Sequence, residues 1–176
     1  MSRPIINIDE LEFRPWDEAF PDGDKPPPEF GARKAELGAK LGARKLGYNV
    51  SAIAPGKRAF PVHNHRVNEE MFLILDGAGE LVVGDERWPV RKGDVIACPP
   101  GGPETAHQLH NTSHDTELKV LSVSTSEQAD VVEYPVGGKI AVGVMTPGAD
   151  GKPQLMRHLF KDGAEPDYWE GETPTH

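Results

Sequence analysis

The chain of 176 residues has only one cysteine, Cys98. A single cysteine excludes a disulfide within the chain, and it excludes zinc sites that are built from several thiolates. A free thiol is typical of proteins kept in a reducing compartment, so we expect a cytoplasmic protein.

Long hydrophobic runs and excess positive charge are also lacking. No run approaches the roughly 20 apolar residues of a membrane span, and residues 1–9 lack the apolar core of a signal peptide. The 19 basic and 28 acidic residues give a net charge of -9. Nucleic acids and anionic membranes bind basic faces. The sequence therefore predicts neither a nucleic-acid partner nor a membrane partner.

Glycine and proline are abundant, with 19 and 17 residues. Such a content of helix-breaking residues argues against a helical bundle and favours short strands joined by turns. Turn residues separate apolar runs at 48–54, 70–75, 80–83, 87–91, 94–98, 105–110 and 116–124. This spacing predicts an all-β protein, an antiparallel sandwich or barrel.

The segments outside these runs are predicted to complete the same domain. Residues 1–36 form an N-terminal arm, 37–125 the barrel core, and 126–176 a C-terminal strand and tail. Alternation of Leu37, Ala39, Leu41 and Ala43 favours a strand there over a helix. The arm, the tail and an open sheet edge predict a homodimer, because exposed edges tend to be covered.

Three histidines and one glutamate form the candidate site. His63 and His65 are spaced i, i+2, which places both side chains on one face of a strand. Glu70 begins the next apolar run, and His107 lies on a later strand. Nitrogen and oxygen ligands from several strands suit one divalent transition metal ion, namely Fe, Mn, Ni or Zn.

The same residues carry a family resemblance. The segment 56–70, GKRAFPVHNHRVNEE, followed by Gly77, resembles the first cupin motif. The segment 93–101, GDVIACPPG, followed by His107 and Asn111, resembles the second. The first motif departs from the usual pattern by one extra residue between Gly56 and His63. The resemblance implies a cupin double-stranded β-helix, a jelly-roll barrel, with an N-terminal arm and a C-terminal extension.

Two adjacent carboxylates compete for the ligand role. The resemblance allows Glu69 or Glu70 after the second histidine, but the six residues between Glu70 and Gly77 match the motif. Strand alternation agrees, since Glu70 shares a face with Phe72 and Ile74. We therefore predict that Glu70 is the ligand and that Glu69 points to solvent.

The resemblance leaves several functions open. Small single-domain cupins similar to this chain are often labelled sugar-phosphate isomerases, so we expect a metal-dependent enzyme acting on a small oxygenated molecule. A ferrous dioxygenase, a non-catalytic ligand-binding cupin and a barrel with a structural metal are the alternatives. No catalytic residue beyond the metal ligands is identified. Lys57 and Arg58, in a turn near the histidine pair, are candidates for contact with an anionic substrate.

Overall fold

A computed structural model describes residues 4–16, 25–127, 129–147 and 153–172. Within these residues, two short 3₁₀ turns (Ile8–Glu10 and Pro103–Thr105) accompany thirteen strands. The strands are β1 (Arg14–Pro15), β2 (Ala32–Glu36), β3 (Leu46–Ile53), β4 (Asn64–His65), β5 (Glu70–Asp76), β6 (Ala78–Val83), β7 (Glu86–Arg91), β8 (Val95–Cys98), β9 (His107–His110), β10 (Leu118–Thr125), β11 (Ala129–Tyr134), β12 (Lys139–Pro147) and β13 (Pro153–Lys161). No helix among the described residues is long and apolar enough to cross a membrane.

The strands form three antiparallel sheets. Six strands pair in the order β1-β2-β3-β10-β5-β8, three in the order β7-β6-β9, and four in the order β13-β12-β11-β4. This architecture confirms the all-β prediction, and the strands β3 and β5–β10 lie on the apolar runs of the sequence, with ends that differ by a few residues.

The core lies between the sheets and follows the two-residue period of the strands. On β5, Phe72 and Ile74 are both 1% exposed, and Val120 on β10 pairs with Ile74. Leu109 on β9 belongs to the same cluster of buried residues. Alternate residues of a strand face the same side of the sheet. Glu70 therefore lies on the same face of β5 as the buried side chains of Phe72 and Ile74.

The predicted strand at Leu37–Ala43 is wrong. These residues form consecutive turns, in which the Leu41 amide donates to the Leu37 carbonyl and the Ala43 amide donates to the Gly38 carbonyl. The Cα of Gly42 has a φ of 76°, which favours glycine. Of the four alternating residues only Leu37 is buried, and Ala39 is exposed. The strand that precedes β3 lies earlier in the chain, at β2.

The C-terminal segment is more extensive than one strand and a loop. β12 and β13 pair along nine residues each, from Lys139 opposite Lys161 to Pro147 opposite Pro153. β11 joins this hairpin to β4, where Val132 pairs with His65. The chain end thereby contributes to the sheet that carries one of the candidate ligands.

Candidate metal centre

Two of the predicted ligands are direct cross-strand neighbours. His63 and His107 form an isolated antiparallel bridge. The His107 amide donates to the His63 carbonyl at 2.8 Å, and the His63 amide donates to the His107 carbonyl at 3.3 Å. Directly opposed residues project to the same side of a sheet, and the two rings lie 4.9 Å apart.

The carboxylate of Glu70 faces all three imidazoles. Its Oε2 lies 3.2 Å from Nε2 of His107, 3.5 Å from Nε2 of His65 and 3.9 Å from Nε2 of His63. The ligand atoms of His63, Glu70 and His107 all lie within 4.8 Å of one another, so these three residues could hold a metal ion. His65 lies beside them, with its ring 5.1 Å from that of His63.

The other ring nitrogen of each histidine faces an oxygen atom. Nδ1 of His63 lies 3.0 Å from the Pro61 carbonyl, and Nδ1 of His107 lies 3.2 Å from the Thr105 carbonyl. Nδ1 of His65 lies 2.5 Å from the Asp130 carboxylate. An oxygen acceptor at Nδ1 fixes the proton there and directs Nε2 toward the centre, as metal-ligating histidines require. The donor set therefore fits a divalent transition metal ion.

Asp130 is the most elaborately held of these oxygen acceptors. Its carboxylate also accepts from the Val67 amide at 3.1 Å and from the Asn68 side chain at 2.9 Å. Burial raises the pKa of Asp130, but hydrogen bonds from His65 and Asn68 outweigh burial and hold it below its usual value. Asp130 thus remains ionised and orients the His65 ring.

The ionisation of the cluster follows from burial and mutual contact. Burial, together with the neighbouring His107, lowers the pKa of His63 to about 4. Burial lowers the pKa of His107, but the side chains of Cys98 and Glu70 outweigh it and raise the pKa to about 10. Burial raises the pKa of Glu70, and the hydrogen bond from His107 with the other two imidazoles lowers it below its usual value. Without an ion, His107 therefore carries the proton that balances the Glu70 carboxylate.

Aromatic side chains surround the cluster. The ring of Phe60 lies edge-on to His63 at 4.9 Å, and Phe72 lies 5.6 Å from His107. Tyr134 on β11 stacks on His63 at 6.0 Å. Burial raises the pKa of Tyr134, so its phenol keeps its proton. These three rings form an apolar wall beside the imidazoles.

Residues outside the cluster take other roles. Glu69 is exposed while Glu70 faces the imidazoles. Asn111 is fully buried and donates to the carbonyls of Ile53 and Thr116, so it holds the turn after β9. Cys98 is 5% exposed and packs in the core.

Lys57, one of the two candidates for contact with an anionic substrate, contacts the N-terminal arm. Its Nζ donates to the Pro28 carbonyl at 2.6 Å, because the N-terminal arm lies beside this turn. Lys57 therefore ties the arm to the barrel.

Sequence reasoning missed Asp130 and Tyr134. Both lie on β11, in a segment we described only as a strand and tail. Their signal is alternation, since Asp130, Val132 and Tyr134 share one face of a strand. Aspartate is uncommon within strands, so an aspartate in phase with a tyrosine on a short apolar strand was an available indication of a polar site.

Known proteins share this sequence pattern. A model of the cupin domain family matches residues 49–124. An uncharacterized protein of Methanocaldococcus jannaschii is 33% identical over 88 residues, which are 48% of this chain and 67% of that protein. Quercetin 2,3-dioxygenase of Bacillus subtilis is 36% identical over 92 residues, which are 51% of this chain but only 26% of the enzyme.

Solved structures share the fold over most of the chain. A sugar phosphate isomerase from a cupin superfamily of Silicibacter pomeroyi superposes with a TM-score of 0.70 at 23% identity. The superposition covers 93% of this chain and 96% of that one. The likeness therefore includes the arm and the C-terminal hairpin, and at this identity it concerns the fold.

Proposed function

Because the chain belongs to the cupin superfamily, we propose that His63, His65, Glu70 and His107 bind one divalent transition metal ion. The observation that supports this proposal best is the oxygen acceptor at each Nδ1, which leaves three Nε2 atoms directed toward one carboxylate. His65 is included as the fourth ligand because its Nε2 lies 3.5 Å from the same carboxylate oxygen.

We propose that the centre belongs to an enzyme that acts on a small oxygenated molecule such as a sugar or a sugar phosphate, by isomerisation. An ion held there acts as a Lewis acid on substrate oxygens. The protein itself supplies the aromatic rings of Phe60, Phe72 and Tyr134, which exclude water from the reacting groups. Tyr134, whose ring stacks on His63 at 6.0 Å, is the side chain we assign to hydrogen bonding with a substrate oxygen, because its phenol keeps its proton. An aldose–ketose isomerisation moves a proton between neighbouring carbons and needs no oxidant.

Elemental analysis of protein purified without added metal, followed by incubation with a panel of aldose phosphates, tests this proposal. We expect about one metal ion per chain and formation of ketose phosphates without oxygen. In deuterium oxide, the product carbon should exchange hydrogen with solvent. Metal-replete protein that leaves every sugar phosphate and free sugar unchanged would contradict the isomerase proposal. His114→Ala serves as a control for metal content, because His114 is exposed, in the bend between β9 and β10.

A ferrous dioxygenase is the second candidate. The 36% identity to quercetin 2,3-dioxygenase over half of this chain favours it, and three histidines with one carboxylate suit iron equally well. Consumption of dissolved oxygen on adding quercetin to iron-loaded protein would support this candidate. A dioxygenase needs oxygen, so conversion of a sugar phosphate under strict anaerobic conditions would show that this conversion is not a dioxygenase reaction. Stoichiometric binding of these compounds without conversion would indicate a ligand-binding cupin.

We also propose a homodimer. β13 is the edge strand of its sheet, and four large apolar residues on it are 47% to 56% exposed: Leu155, Met156, Leu159 and Phe160. An exposed apolar edge strand favours pairing with another chain. Light scattering should give twice the chain mass of 19.2 kDa, and a mass of one chain would contradict the proposal.

A further inference from the structure

A cavity of about 260 Å³ lies between the N-terminal arm and the C-terminal hairpin. Pro26 and Phe30 of the arm form one wall, and Arg157 and Leu159 of β13 form the opposite wall. Its size is near the lower end of the roughly 300–1,000 Å³ that is typical of small-molecule pockets. The cavity is therefore suited to a small ligand or to one end of a larger one.

The charged side chains that line this cavity are all cationic. They are Lys25, Lys139 and Arg157, with no aspartate or glutamate in the lining. The chain as a whole carries a net charge of -9. Such a local reversal of sign raises the concentration of anions at the cavity.

The sheet register places Lys139 and Arg157 on the same face of the hairpin, four positions apart along it. Lys139 pairs with Tyr134 and lies opposite Lys161, while Arg157 lies opposite Gly143. Both side chains line the cavity from this face. Within the described residues, neither Lys139 nor Arg157 has a carboxylate within 4.0 Å.

The cavity adjoins the candidate metal centre through shared side chains. Phe60 and Tyr134 line the cavity, and both rings contact His63, at 4.9 Å and 6.0 Å. Nζ of Lys139 lies 5.5 Å from the centre of the Tyr134 ring. A molecule that reaches the imidazoles from this side therefore passes the cations.

We propose that this cavity binds the phosphate group of the substrate, with Lys139 and Arg157 as its ligands. The planar guanidinium of Arg157 matches phosphate oxygens in pairs, and Lys139 adds a point charge. Two or more cations favour a dianionic phosphate over a singly charged carboxylate. This proposal rests on the proposed function, which assigns the sugar end of a sugar phosphate to the metal centre. The cavity is assigned to the phosphate end of the same molecule.

Titration of the metal-free protein with inorganic phosphate tests the cavity separately from the metal centre. Amide shifts in nitrogen-15 NMR spectra should saturate at one site and include β12 and β13. Acetate, the singly charged comparison, should bind more weakly. The variant Lys139→Gln/Arg157→Gln should lose roughly tenfold or more of the phosphate affinity, as expected for hydrogen bonds to a charged group.

Lys119→Gln is the matched control, because it removes the same charge from an exposed residue of β10, which lies in another sheet and outside the cavity lining. Its phosphate affinity should stay within about twofold of that of the unaltered chain. Arg157→Gln alone serves if the double variant is unfolded by circular dichroism. Absence of saturation, or equal losses in the cavity and control variants, would overturn the proposal. The zinc affinity of the double variant is measured in parallel. It reports on the metal centre alone, because neither substituted residue is a proposed metal ligand.

Discussion

Metal binding at this centre should release a proton, and the release can be counted. In the free protein, Nε2 of His107 lies 3.2 Å from Oε2 of Glu70. Since the pKa of His107 is raised to about 10, its ring is almost fully protonated at pH 8. A ligand nitrogen must be deprotonated. Binding of a divalent ion at pH 8 therefore displaces about one proton from His107.

His63 and Glu70 add little to the number of protons released. The pKa of His63 is lowered to about 4, so that ring is neutral at pH 8. The pKa of Glu70 is lowered from its usual value, and this carboxylate is already ionised. One released proton means that affinity rises about tenfold for each pH unit, or about 1.4 kcal/mol, until the pH reaches the pKa of His107.

Calorimetric titration with zinc in several buffers of different ionisation enthalpy measures the number of protons released. We expect about one proton at pH 8 and a smaller number as the pH approaches 10. The matched variant Glu70→Gln removes one of the two side chains, Cys98 and Glu70, that raise the pKa of His107. It should therefore release less proton than the unaltered chain while binding zinc more weakly. Tight zinc binding with no proton release and no pH dependence would refute the reasoning, because it would show that His107 is neutral in the free protein or is not a ligand.

Three further experiments with variants test individual parts of the structure. Asp130→Asn removes the carboxylate that holds Nδ1 of His65. Zinc affinity, measured by calorimetry, should therefore fall roughly 10–100-fold. A change below twofold would show that this contact does not orient the ring. Glu70→Gln should lose bound metal by elemental analysis while the exposed neighbour Glu69→Gln keeps it, and the reverse result would exchange their roles. Phe72→Ala opens a hole in the core at a side chain that is 1% exposed, so urea unfolding should show a loss of about 3–5 kcal/mol, and a loss below about 1 kcal/mol would contradict the packing.

The order of short strands could be predicted because turn residues and apolar alternation are local properties. For this reason, the apolar runs that begin at residues 70 and 105 correspond to strands β5 and β9. The segment at Leu37–Ala43 shows the limit of such reasoning. Its alternation is that of a strand, but Gly38 and Gly42 permit turns, and only the packing against Tyr48 decides between the two.

For the candidate centre, the sequence alone predicted the residue types and, from the i, i+2 spacing, that the side chains of His63 and His65 lie side by side. Their rings do lie 5.1 Å apart, but only His65 belongs to a strand, β4, while His63 forms an isolated bridge with His107. The sequence also separated Glu70 from Glu69 by the same two-residue period. The tertiary structure alone decided that Asp130, some 65 residues along the chain from its partner His65, holds that ring. Contacts of this kind depend on which strands become neighbours, and strand order arises from the packing of the whole chain rather than from any local segment.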